Sequence, residues 1–140
     1  MSMTPEDMTD FVDRLYAACG VGDWETAESM LTEDFVAYEA DAMPMAGAYH
    51  GKGGLKELFS VAMGLVDVAA LERTDLALGN DRAIAVLTMR FADPSLEPAE
   101  LCEMFTFRDG LCCEIKPYYY EPSVFHAAAA AKAAATAGVG

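Results

Sequence analysis

The chain has 140 residues, a formal charge of −14 and a pI of about 4.2. One domain with a full hydrophobic core fits that length, and a second ordinary domain does not. So acidic a chain lacks the basic footprint that nucleic acid or an anionic membrane surface requires.

The acid is concentrated early: residues 1–41 carry eleven Asp and Glu against the single Arg14, which marks a solvated surface. The opening MSMTPEDMTD is acidic where a signal peptide would be basic and then apolar, and no run of about 18 apolar residues follows. A cytoplasmic location is expected. Cys19, Cys102, Cys112 and Cys113 show neither a CxxC nor a Cys/His metal spacing, so they read as small buried hydrophobes.

Thr4-Pro5-Glu6-Asp7 is a helix start: a capping hydroxyl, proline at the first helical position and an acid three residues after the cap. Met8, Phe11, Val12, Leu15, Tyr16 and Cys19 then form one apolar stripe. Gly20 and Gly22 end the helix, and Asp23 caps a shorter one whose buried side is Trp24, Ala27, Met30 and Leu31, closing at Thr32-Glu33-Asp34. Residues 35–40 read as a short strand. DAMPMAGAYHG has no period and reads as a loop with apolar content, packed over something or placed at the entrance of a cavity. A third helix follows from Gly51, with Leu55, Leu58, Phe59, Ala62, Met63 and Val66 on its stripe.

From Asp67 the period becomes two. Residues 67–78 and 82–92 are strands joined at Gly79-Asn80-Asp81, and a loop with two prolines leads to a second hairpin, residues 99–120, turning at Asp109-Gly110. Along its first strand Leu101, Glu103, Phe105 and Phe107 share one face. Glu103 thus sits on an apolar face, where a carboxylate needs a partner or a proton. The order is ααβαββββ, an α+β arrangement with helices gathered on one face of a mostly antiparallel sheet. Residues 1–121 make the domain. Residues 122–140 form an alanine-rich C-terminal tail, helical by propensity but with little to bury.

In that order the chain resembles the NTF2-like superfamily, in particular its SnoaL-like and ketosteroid-isomerase-like members. The residues that carry the resemblance are Gly22-Asp23-Trp24, Glu33-Asp34-Phe35-Val36, Tyr49-His50-Gly51-Lys52-Gly53-Gly54-Leu55 and Phe105-Thr106-Phe107-Arg108-Asp109-Gly110. The resemblance implies a curved sheet wrapped around three helices as an open cone, a mostly apolar internal pocket, no cofactor, and a homodimer formed through the outer sheet face. Cys102, Met104, Cys112, Tyr118 and Tyr120 make that face more apolar than water alone would favour.

Laid against the isomerase pattern, Glu39 falls on the catalytic base and Glu103 on the second acid, which an apolar site keeps protonated so that it can donate to a developing enolate. The helix-one tyrosine of the pattern aligns with Leu15. Tyr16, one residue and about 100° further round, Tyr38, Tyr119 and His50 are the substitute donors. Phe59, Met63 and Phe105 are expected to line the pocket, with Arg90 as a partner for Glu103. Glu39 either faces the pocket or ends its strand in water. The expected function is binding of a small apolar, carbonyl-bearing molecule, with isomerisation, cyclisation or dehydration by proton transfer. A non-catalytic ligand-binding module and a protein-interaction adaptor are the alternatives on the same fold.

Overall fold

The computed structural model describes residues 2–139. Ten elements follow in chain order: α1 (Pro5–Gly20), α2 (Trp24–Ser29), β1 (Leu31–Glu39), β2 (Gly47–His50), α3 (Gly54–Leu65), β3 (Val68–Leu78), β4 (Arg82–Phe91), β5 (Ala99–Arg108), β6 (Leu111–Tyr119) and α4 (Pro122–Val139). The helix starts are built as the side chains dictate. Thr4 Oγ1 accepts the Asp7 N–H and the Asp7 carboxylate accepts the Thr4 N–H, both at 3.1 Å. Asp23 accepts the Thr26 N–H at 3.2 Å.

The six strands form one curved, unclosed sheet in the order β2-β1-β6-β5-β4-β3. Pairing is antiparallel throughout except β1 with β6, which run parallel. Register shifts in β1/β6, β3/β4 and β5/β6 supply the local bends that curve such a sheet. Asp109 and Gly110 both have positive φ, 54° and 78°, as a two-residue hairpin turn of this kind requires.

Two parts of the chain depart from the sequence reading. Within the expected loop, residues 47–50 pair with β1 as a short edge strand, too short to show a period. The Thr32-Glu33-Asp34 step expected to close the second helix belongs to β1, so that strand starts four residues early. Gly54 opens α3 against β2, because a Cβ there would strike the Tyr49 carbonyl. The alanine-rich tail has more to bury than its composition suggests. Phe125 and Ala128 on α4 are buried, and Lys132 bonds the Met63 carbonyl and Asp67, each at 2.9 Å.

The core lies between the concave sheet face and the helices. Met8, Phe11, Val12, Leu15 and Ala18 of α1 pack against Ala83, Ala85 and Leu87 of β4 and Leu101, Phe105 and Phe107 of β5 in one buried cluster. Removing a fully buried aromatic ring from such a cluster costs about 3–5 kcal/mol. No helix among the described residues is long and apolar enough to cross a membrane.

Candidate functional site

The site is set by how α1 docks on β5. Phe11 meets Phe107 edge-on with centroids 5.0 Å apart, and Tyr16 meets Phe105 edge-on at 5.7 Å. Five residues of helix rise about 7.5 Å, and two residues of strand about 6.8 Å, so the two contacts stay in step. The next inward position on β5 is Glu103. The longer tyrosine side chain reaches it, and the Tyr16 hydroxyl donates to Glu103 Oε1 at 2.5 Å. The residue in the fully buried stripe, Leu15, points into the core; the phenol one position round the helix is the one that finds the acid.

Glu103 is half-buried, and the desolvation of its carboxyl raises it above the ordinary range, opposed in part by the Tyr16 hydrogen bond. Burial and the neighbouring acid raise the Tyr16 hydroxyl in turn.

Glu39 is the last residue of β1 and lies on the same concave face. Ala37 is level with Ile115, and Glu103 is level with Pro117, so Glu39, Pro117 and Glu103 fall in one row across three strands. The two acids are therefore two strands apart, about 10 Å at the backbone. Glu39 is 9% exposed, and its Oε1 is the one buried side-chain oxygen without a hydrogen-bond partner among the described residues. Burial first, and the field of Glu103 second, push its carboxyl up to about 8. Tyr119, which feels both acids, is raised by burial and by their charge.

Two cavities flank this row. The larger, about 660 Å³, opens between α1, α3, β3 and β4. Its walls include Tyr16, Phe59, Met63, Leu87 and Met89, with Arg73 and Asp13 paired at 2.7 Å on its rim. Cys19 also lines it, its thiol pushed up to about 11, by burial first and the field of Glu103 second. The smaller, about 270 Å³, lies at the end of β1 and β6 and is lined by Glu39, Met43, Lys116, Pro117 and Tyr119. Glu103 lines neither cavity and stands behind Tyr16.

The residues singled out in the sequence are thus divided. Tyr16, Phe59 and Met63 line the larger cavity, Phe105 packs beneath Tyr16 in the core, and Glu39 and Tyr119 line the smaller one. Tyr38 also borders the smaller cavity, and Lys116 Nζ sits 5.3 Å from its ring centroid. His50 is exposed at the end of the edge strand. Arg90 does not meet Glu103: it lies on the opposite sheet face and is paired with Glu72 at 2.6 Å, because strand alternation puts it one residue out of phase with the buried Met89 and Phe91. Sequence reasoning missed Arg73 and Leu71, which alternation on β3 puts on the concave face at the cavity wall.

A curved, unclosed sheet closing over helices, with a cavity inside, defines the chain as an NTF2-like α+β protein. A family model described as a SnoaL-like domain matches residues 12–115, and the chain belongs to that family. Among solved structures it is similar to an NTF2-like protein from Burkholderia xenovorans LB400, at 21% identity and a TM-score of 0.76 over 91% of this chain and 98% of the other. It is also similar to TerC, co-crystallised with polyporic acid, at 17% identity and a TM-score of 0.75 over 88% of this chain and 98% of the other. A polyketide-cyclase candidate from Sinorhizobium meliloti aligns at 16% identity and a TM-score of 0.64 over 80% of this chain and 98% of the other. No curated protein matches the chain.

Proposed function

We propose that the chain binds a small apolar, carbonyl-bearing molecule in the larger cavity and moves a proton on it through Tyr16 and Glu103. The observation that carries this reading is the 2.5 Å hydrogen bond from Tyr16, in the wall of a mostly apolar cavity, to Glu103 behind it. A tyrosine in the cavity wall whose hydroxyl is backed by a carboxyl is a unit that can pass a proton. Arg73 supplies positive charge at the same cavity for oxygen charge that develops on the ligand. The fold is shared with TerC, which was crystallised with polyporic acid, and with the polyketide-cyclase candidate, and isomerisation, cyclisation or dehydration are the reactions such a unit would serve. The test is deuterium uptake at the α-carbons of 2-tetralone in D₂O, followed by NMR. Uptake accelerated by the protein and at least about tenfold slower in Tyr16→Phe is expected for a proton-passing group.

A second reading has its own observation. Neither carboxyl lines the larger cavity, which suits a binding module without turnover. Binding of 2-tetralone with no acceleration of exchange in the wild type would select it; no binding at all would overturn both.

We further propose a homodimer through the outer sheet face, where Ile84 and Tyr118 are exposed and Val86, Cys102 and Met104 half-buried. A single-chain mass in solution by light scattering contradicts it.

A further inference from the structure

The two acids on the concave face are not equivalent, and the difference lies in what each is given. Glu103 has a phenol O–H aimed at it at 2.5 Å, and a donor favours the ionised form of a carboxyl. Glu39 Oε1 is enclosed with no donor among the described residues, and a charge placed there would go uncompensated.

The groups packed around Glu39 do not relieve this. Glu103 of β5, Tyr119 of β6 and Tyr49 of β2 face it, all acids. The Tyr49 hydroxyl is spent on the Met45 carbonyl at 2.8 Å. Lys116 borders the smaller cavity with its ammonium over the Tyr38 ring, and His126 of α4 is turned to the Ala42 carbonyl at 2.5 Å. Burial and the Glu103 charge both act to keep the Glu39 proton on, whereas at Glu103 the Tyr16 bond works against burial.

We propose that the pair holds one proton near neutral pH, that Glu39 keeps it, and that Glu103 is the ionised member that acts as base through Tyr16. This reverses the division that the isomerase pattern implies, in which Glu39 is the base and Glu103 the protonated donor. Its chemical use rests on the proposed function; the location of the charge does not.

In the step it describes, the ligand's α-proton passes to the Tyr16 oxygen as the Tyr16 proton passes to Glu103. The electron pair of the broken C–H bond becomes the enolate C=C bond, and the carbonyl π pair moves onto oxygen. One negative charge leaves Glu103 and one appears on the ligand, beside Arg73. The reverse transfer, to the same or another carbon, restores Glu103. Glu39 is a positioning residue here: by staying neutral it spares Glu103 a second charge in the row. The smaller cavity gives it a way to exchange its proton with solvent that does not cross the ligand's cavity.

The experiment is a carboxyl-carbon NMR titration of the protein alone, with Glu39 and Glu103 assigned by Glu39→Gln and Glu103→Gln. Glu103 is expected to ionise at the lower pH, with Glu39 still protonated at pH 7. In Tyr16→Phe the Glu103 midpoint is expected to rise by about one pH unit or more, since a lost donor removes what favours the anion. Glu39 ionising first, both acids ionised at pH 7, or a Glu103 midpoint indifferent to Tyr16→Phe would each overturn the assignment. The predicted order in a protein that binds no ketone would overturn the proposed function alone.

Discussion

Glu103 and Glu39 share a sheet face and a row, yet one is built into the fold and the other is left over. Glu103 lies where two aromatic contacts hold α1 on β5, and the same docking that half-buries it delivers its hydrogen-bond donor. Glu39 lies where β1 ends, next to a proline that has no N–H to offer, under a loop that contributes the side chains of Met43 and Met45 to the core. Burial alone therefore does not define a functional acid. What a packed neighbour donates to it decides which proton stays and which can move.

The largest expected effect that separates the two is on stability. The Glu39 carboxyl sits near 4.5 in the unfolded chain and about 8 in the folded one. Below the lower value both states hold the proton; between the two values only the folded state does, so unfolding releases a proton and stability falls as pH rises. Glu39→Gln removes that loss. Urea denaturation should show the variant more stable than the wild type by on the order of a few kcal/mol at pH 8.5, and no such gain at pH 4. An equal gain at both pH values would mean that Glu39 is poorly packed rather than reluctant to ionise.

The smallest effect belongs to the other sheet face. Arg90→Gln breaks only an exposed pair with Glu72, so stability should change by less than about 1 kcal/mol. Exchange of 2-tetralone protons should match the wild type. A loss of exchange in this variant would tie the convex face to the site and undo the contrast between faces.

Much of the frame was legible in the sequence because it rests on local chemistry. The capping box at Thr4, the Asp109-Gly110 turn and the period-two face carrying Glu103 each follow from a few neighbouring residues. The expected element order stands, with β2 added and the tail drawn into the core by Phe125. The partner of Glu103 was not legible in the same way. The sequence points to Arg90 as that partner and offers Tyr16 only as a donor toward the ligand, and finding the true contact needs the sheet phase of β4 and the angle at which α1 crosses β5, neither of which is local. Met43 and Met45 of the 40–46 loop are buried, one of them at the smaller cavity, and the apolar content of that stretch signals such packing, but without a period it does not say against which elements.

The central claim is that the ligand site is the cavity walled by Tyr16, and a crystal of the protein soaked with 2-tetralone tests it most directly. The account predicts the ketone between Phe59 and Met89, with its oxygen side toward Tyr16 and Arg73. A ketone seated instead in the smaller cavity against Glu39, with the Tyr16 cavity empty, would contradict it.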